Sequence, residues 1–244
     1  MKGYLYKELK QNRLFLFLTF IAAGCAAFLP IILVMISEET MAKEAFLVFA
    51  RDGMLLRILC ITLSFFASLA IQGLVFKGDD IKKWGYFVAS NPKGIKGYIF
   101  TKYGLVGAMC VIMLASSVGF DCIFTLIANV IGGISVPYMA KIFLLLFFFQ
   151  LLFNAIELTF TIRFGIKRGS IIKTIFLIVI FIVLVLILLF NPAGLAETIS
   201  EAFMEGEIPP FMKWVFPAIS VILYILSAMF SCKLYMKGVD EYYQ

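Results

Sequence analysis

Residues 142–164 read IFLLLFFFQLLFNAIELTFTIRF, and in this stretch only Glu157 and Arg163 carry charge. A predominantly apolar run of 18 or more residues is long enough to cross the hydrocarbon of a bilayer as a helix. Gln150, Asn154, Glu157 and Thr161 follow one another at steps of 4, 3 and 4, so on a helix they form one polar stripe along an otherwise apolar rod. The stretch therefore predicts a membrane-spanning helix with one face turned away from lipid.

Working outward, five more runs of the same kind lie at about 14–36, 55–76, 105–131, 171–190 and 214–232. Across all 244 residues, 63% are apolar and 15% charged, against about half and a quarter in soluble domains. Soluble enzymes, secreted domains and disordered tails are excluded. A β-barrel is also a poor match, because barrel strands are alternating segments of roughly 10 residues and not long apolar blocks. The expectation is an all-α polytopic membrane protein with six transmembrane helices. The first run is longer than a signal-peptide core and is followed by no small-residue cleavage site, so it reads as a retained span. Neither a fixed-period repeat nor a Ser- or Pro-rich linker divides the chain. Residues 1–244 read as a single transmembrane domain.

Lys and Arg set the orientation. Sixteen of the 21 fall before the first run, in the second-to-third connection, in or beside the fourth-to-fifth connection (Arg163 and Lys173 at the ends of the flanking runs), and after the last run; the other side holds Lys43, Arg51, Arg57, Lys141 and Lys213. Cytoplasmic loops carry the excess of positive charge, which puts both termini in the cytoplasm. The net charge of +6 is thereby explained by topology, and no nucleic acid partner is needed. No His occurs, and Cys25, Cys60, Cys110, Cys122 and Cys232 lie in apolar runs without CxxC spacing. The commonest metal ligand is missing, and the thiols read as small buried hydrophobes. There is no GxxxxGK[ST] phosphate loop and no kinase or hydrolase signature, so the chain is read as a non-enzyme that does not cleave nucleotide by itself.

Four segments carry the remaining information. In residues 1–13, Met1, Tyr4, Leu5 and Leu9 share one side of a helical wheel with Glu8 intruding, and Lys2, Lys7, Lys10 and Arg13 lie across the other. This reads either as an amphipathic interfacial helix or as a basic tail that sets topology. In the connecting segment 77–104, Asp79 or Asp80 caps a short helix whose Ile81, Trp84 and Val88 form an apolar stripe with Phe87 beside it, stopped at Asn91-Pro92. The stripe rests on the lipid interface or docks a cytoplasmic partner. Residues 191–213 place Leu195, Ile199, Ala202 and Phe203 at helical spacing against Glu197, Glu201 and Glu205, which reads as a short amphipathic helix at the outer surface or as a solvated acidic loop. Ala22, Ala23, Gly24, Ala26 and Ala27 give small-xxx-small pairs that let helix backbones approach closely, in the bundle or in a dimer.

Ser64, Ser68 and Gln72, and Ser117, Asp121, Thr125 and Asn129, form two further polar faces. With Gln150, Asn154 and Glu157 they line a solvated path or bond helix to helix. Asp121 and Glu157 are the harder pair to explain as glue, because a buried carboxylate must be paired, protonated or wet. Only Arg163 is an obvious cationic neighbour.

Six spans, cytoplasmic termini, an N-terminal stretch MKGYLYKELKQNR and a connection ending SNPKGIKGYIFTKYG, with Pro92 and Lys102 at the entry to the third span, resemble the permease subunits of type-2 ABC exporters. The resemblance implies two permease copies in the membrane, each docked through a coupling helix at about 79–90 onto a separate cytoplasmic ATPase subunit that carries ATP and Mg. It also implies a bacterial plasma-membrane location, re-entrant outer helices at 191–213, and export of amphipathic peptides such as phenol-soluble modulins, lantibiotics, drugs or lipids. A gradient-driven carrier using Asp121 and Glu157 as proton sites is the alternative, and a non-transporting membrane scaffold is a third reading.

Overall fold

The computed structural model describes residues 2–35, 54–76, 88, 94–132, 138–165, 168–169, 171–172, 174–176, 178–179, 182 and 211–241. They are helical with short turns, and no strand occurs among them. The helices are α1 (Lys2–Met35), α2 (Met54–Gly73) followed by a 3-10 turn (Leu74–Phe76), α3 (Gly94–Gly132), α4 (Ala140–Phe164), and α5 (Phe216–Glu241) preceded by a π-helical turn (Phe211–Val215). Gly94–Val130, Ala140–Phe164 and Lys213–Tyr235 are each long and apolar enough to cross a membrane, with a shorter apolar helix at Cys60–Gly73. The isolated positions between 168 and 182 are helical too, inside or beside the fifth predicted run. Residues 191–210, with Leu195, Ile199, Ala202 and Phe203, lie outside the described residues.

One boundary differs from the sequence expectation, and another is continuous in the backbone. The interfacial segment 1–13 and the run that follows it from residue 14 form one helix, α1, of 34 residues, about 50 Å long at 1.5 Å per residue. The change from charged to apolar residues there marks a change of surroundings and leaves the backbone helical. The third helix starts at Gly94, so residues 94–104, expected as part of a loop, form its first three turns. Gly94 adopts φ +54, a conformation glycine takes without a Cβ penalty. At the far end of α4, Gly165 (φ +82) donates its N–H to the Thr161 carbonyl at 2.9 Å, the left-handed C-terminal cap that satisfies a last-turn acceptor.

The chain divides into two compact units. One comprises Leu14–Gln72 and Ala108–Phe147, the other Met1–Arg13, Gly73–Gly107 and Phe148–Gln244. In the first, Ile61, Met139 and Phe143 form a buried cluster with Leu114, Val118, Ile142 and Leu146 packed on it. The small-residue stretch of α1 packs in this unit: a Cβ added at Gly24 would lie 3.2 Å from the Phe120 ring, and Phe20 meets the same ring at 5.3 Å between centroids. Ser64 donates to the Ala22 carbonyl, an interhelical hydrogen bond of the kind that joins spans in lipid. The expected close approach at Ala22, Ala23 and Gly24 is thus made inside the chain.

The second unit has the inside-out polarity of a membrane protein. On α5, Ile222, Ile225, Leu226, Met229 and Phe230 are exposed, whereas Ser220 and Ser231 are fully buried. Apolar side chains face where lipid would be, and hydroxyls face protein.

Candidate functional site

Glu8 stands on the first turns of α1, where the sequence places it among apolar residues. Helical spacing aligns Glu8 with Asn12, and both are buried, while Leu5, Tyr6, Leu9, Lys10 and Arg13 are exposed. Leu5 and Leu9, expected on a common apolar side with Glu8, therefore point outward and the acid points in. A buried carboxylate requires partners, and among the described residues Glu8 meets Asn12, Lys7 and Lys102. Asn12 Nδ2 donates to Glu8 Oε2 at 3.0 Å and to the Glu8 carbonyl at 2.9 Å. Lys7 Nζ reaches Oε1 at 3.0 Å. Lys102 Nζ lies 2.7 Å from Oε2, with both side chains of this pair fully buried.

Lys102 is eight residues into α3. Its ammonium also donates to the Val75 carbonyl at 2.8 Å, in the 3-10 turn that ends α2. The last carbonyls of a helix have no partner within the helix and carry the negative end of its dipole, so a cation is favourable there. The Tyr98 ring lies one turn before, with Lys102 Nζ 5.8 Å from its centroid, and Tyr98 meets Tyr235 of α5 at 6.0 Å. The sequence reading counted Lys102 among the loop cations that set topology; it is a buried residue inside a helix instead.

A second polar cluster joins α3, α4 and α5. The Tyr103 hydroxyl contacts Ser227 Oγ at 2.6 Å, Ser231 Oγ at 2.8 Å and Thr159 Oγ1 at 3.3 Å. Thr159 and Ser227 both donate to the Ala155 carbonyl, at 2.8 and 2.7 Å. Tyr224 Oη donates to the Tyr103 carbonyl at 2.7 Å. Each hydroxyl is a donor with lone pairs to spare, so a few short side chains join three helices without a buried charge. Sequence inspection missed this cluster although the signal is present: Ser220, Tyr224, Ser227 and Ser231 follow at steps of 4, 3 and 4, the spacing that exposed the α4 stripe. Glu8 was visible as an anomaly but had no assignable partner.

The polar residues singled out from the sequence fall as follows. Gln150, Asn154, Glu157 and Thr161 lie on one face of α4 and are all buried, so this face points into protein. Asp121 is buried on α3, and its Oδ2 accepts the Met139 backbone N–H at 3.0 Å, immediately before α4 begins at Ala140. The carboxylate caps the start of the next helix, where amide donors lack partners. Gln72 Nε2 donates to Ser68 Oγ at 3.2 Å in the unit that holds Asp121. Of the predicted docking residues, Val88 is helical and fully buried within this chain; Asp79, Asp80, Ile81, Trp84 and Phe87 lie outside the described residues. Arg163 stacks its guanidinium 5.8 Å from the Phe164 ring centroid. Among the described residues, no three His, Cys, Asp or Glu side chains gather as metal ligands would.

Residues 5–236 match the family model for ABC-2 family transporter proteins. No curated protein and no solved structure matches the chain.

Proposed function

Because the chain belongs to the ABC-2 transporter family over nearly its whole length, as an ABC-2 type permease and multi-pass membrane protein, we propose that it is the membrane subunit of an ATP-driven exporter. The observation that carries this reading is the family match across residues 5–236, which includes every long helix described above. ATP is bound and hydrolysed, with Mg, on a separate cytoplasmic ATPase subunit. Two permease copies form the transmembrane pathway in a bacterial plasma membrane, with their termini in the cytoplasm.

Docking runs through the 79–90 segment. Val88 is already buried in its own chain, so the contact surface falls to its neighbours, above all Trp84, with Asp79, Asp80, Ile81 and Phe87 around it. ATP binding closes the ATPase pair, the docked segments move, and the bundle exchanges one packed arrangement for another. The cargo is amphipathic or apolar, a peptide, drug or lipid that partitions into the bilayer. The Phe- and Leu-rich spans and the outward apolar faces of α5 suit such molecules better than sugars or small ions. The test is copurification: the full chain should retain an ABC ATPase in mild detergent, and Trp84→Ala should weaken that association without loss of membrane insertion. An undiminished complex after Trp84→Ala would refute docking through this segment.

A further inference from the structure

Three separate parts of the chain converge on one ammonium group. Lys102 belongs to α3, Glu8 to α1, and the Val75 carbonyl to the end of α2. Val75 and Lys102 also flank residues 77–93: the chain enters that segment from the 3-10 turn Leu74–Phe76 and leaves it into α3 at Gly94. We propose that Glu8 and Lys102 are positioning residues of the transport cycle, which lock the two ends of the 77–93 segment to each other and to the start of α1. A displacement of that segment is then delivered to three helices together. The inference rests on the permease reading given above.

The argument turns on what an ion pair does that an apolar contact does not. Desolvation offsets most of the attraction in a buried pair, so such a pair is weak evidence for stability. An apolar contact between helices would hold them as firmly, yet it lets them slide by an ångström or two at small cost. The Lys102 ammonium sits 2.7 Å from Glu8 and 2.8 Å from the Val75 carbonyl, and hydrogen bonds weaken steeply beyond their normal range. Sliding any one of the three segments therefore breaks a short bond to a fully buried charge. The segments move as one body or break apart in one step. Asn12 supports this by bonding both the carboxylate and the carbonyl of Glu8, which holds the acid in a single orientation on its helix.

The experiment uses the full chain reconstituted with its ATPase, on a background in which the five native cysteines are replaced. Nitroxide labels on Leu74→Cys and Lys96→Cys report the ends of the segment; both sites are exposed. A second pair, Lys10→Cys and Lys96→Cys, reports α1 against α3. Distances are measured by pulsed electron resonance without nucleotide and with ATP plus vanadate. The parent should give one narrow distance for the 74/96 pair, the same in both states. Lys102→Met should lose that single distance in the nucleotide-bound state while still copurifying with the ATPase, and Lys102→Arg should restore it. Glu8→Gln should broaden the 10/96 distance only, because the Lys102 bond to Val75 survives. Narrow, nucleotide-independent distances in Lys102→Met overturn the proposal. If Lys102→Met fails to insert, unchanged 10/96 distances in Glu8→Gln do so. Absence of any bound ATPase on the parent refutes the ATP-driven exporter reading instead, and the nucleotide-free distances of parent and variants still decide whether the clamp exists.

Discussion

Replacing Lys102 with methionine keeps most of the aliphatic stem and removes the ammonium. In the folded chain that leaves Glu8 Oε2 with Asn12 Nδ2 at 3.0 Å and Oε1 with Lys7 at 3.0 Å, and it strips the Val75 carbonyl of the donor at 2.8 Å. Removing one partner of a buried pair costs about 3–5 kcal/mol. Asn12 still compensates part of the acid, and the half-exposed Lys7 adds less than about 1 kcal/mol, so the expected loss lies at the low end, about 3 kcal/mol. Glu8→Met should cost a similar amount, because it takes the carboxylate away from a fully buried ammonium. The double variant Glu8→Met with Lys102→Met removes both charges together, and what remains is mainly the unsatisfied Val75 carbonyl, about 1 kcal/mol. The two substitutions should therefore be strongly non-additive: losses of about 3 kcal/mol each against about 1 kcal/mol for the double variant imply a coupling energy of about 5 kcal/mol by a double-mutant cycle, above the usual range for contacting residues. The assay is equilibrium unfolding in mixed micelles, followed by the fluorescence of Trp84 and Trp214. Additive losses would show that Glu8 and Lys102 do not act as a unit.

Tyr103→Phe deletes a hydroxyl with three partners while the ring stays. It should cost about 0.6–1.7 kcal/mol, between the average and the largest value for interhelical hydrogen bonds in lipid, in the same unfolding assay. Asp121→Ala uncaps α4 and should cost about 1 kcal/mol; Asp121→Asn keeps an oxygen for the Met139 N–H and should cost less, as read by thermal stability in detergent. Gly24→Leu places a side chain where Cβ alone would be 3.2 Å from Phe120, and overpacking of that kind should lower stability by about 1–3 kcal/mol, with a wild-type melting curve counting against the packing described for α1.

Helix class and membrane character were legible because both depend on local pattern. Apolar runs of sufficient length need no knowledge of neighbours, and a period near 3.6 aligned Gln150, Asn154, Glu157 and Thr161 on a face that is indeed buried. Within the small-residue stretch, Gly24 lacks bulk and admits a neighbour, the Phe120 ring. The misread features are non-local. Lys96 and Lys102 put residues 94–104 in the connecting segment, but a charge marks a connection only when water is its partner, and these residues open α3. The partner of Lys102 is Glu8, on a helix more than 90 residues earlier in the chain. The cap supplied by Asp121 is hidden similarly, since its acceptor serves an amide 18 positions downstream.

These placements bear on how an intramembrane acid should be read. A carboxylate within an apolar helix raises proton-coupled transport as a hypothesis because it must otherwise be paired or wet. In this chain one acid, Asp121, holds the start of a helix through a backbone amide, and another, Glu8, holds an ammonium and an amide side chain. Both buried carboxylates therefore have hydrogen-bonding partners within the protein. Glu157 shares a buried helix face with Gln150, Asn154 and Thr161, polar side chains of the kind that join spans to one another. In an ATP-driven transporter the energy enters from outside the membrane domain, and what that domain needs is a set of contacts that stay intact as helices move and then exchange together. Short, directional, buried polar contacts suit that need better than a continuous apolar interface, because they divide the packing into discrete arrangements.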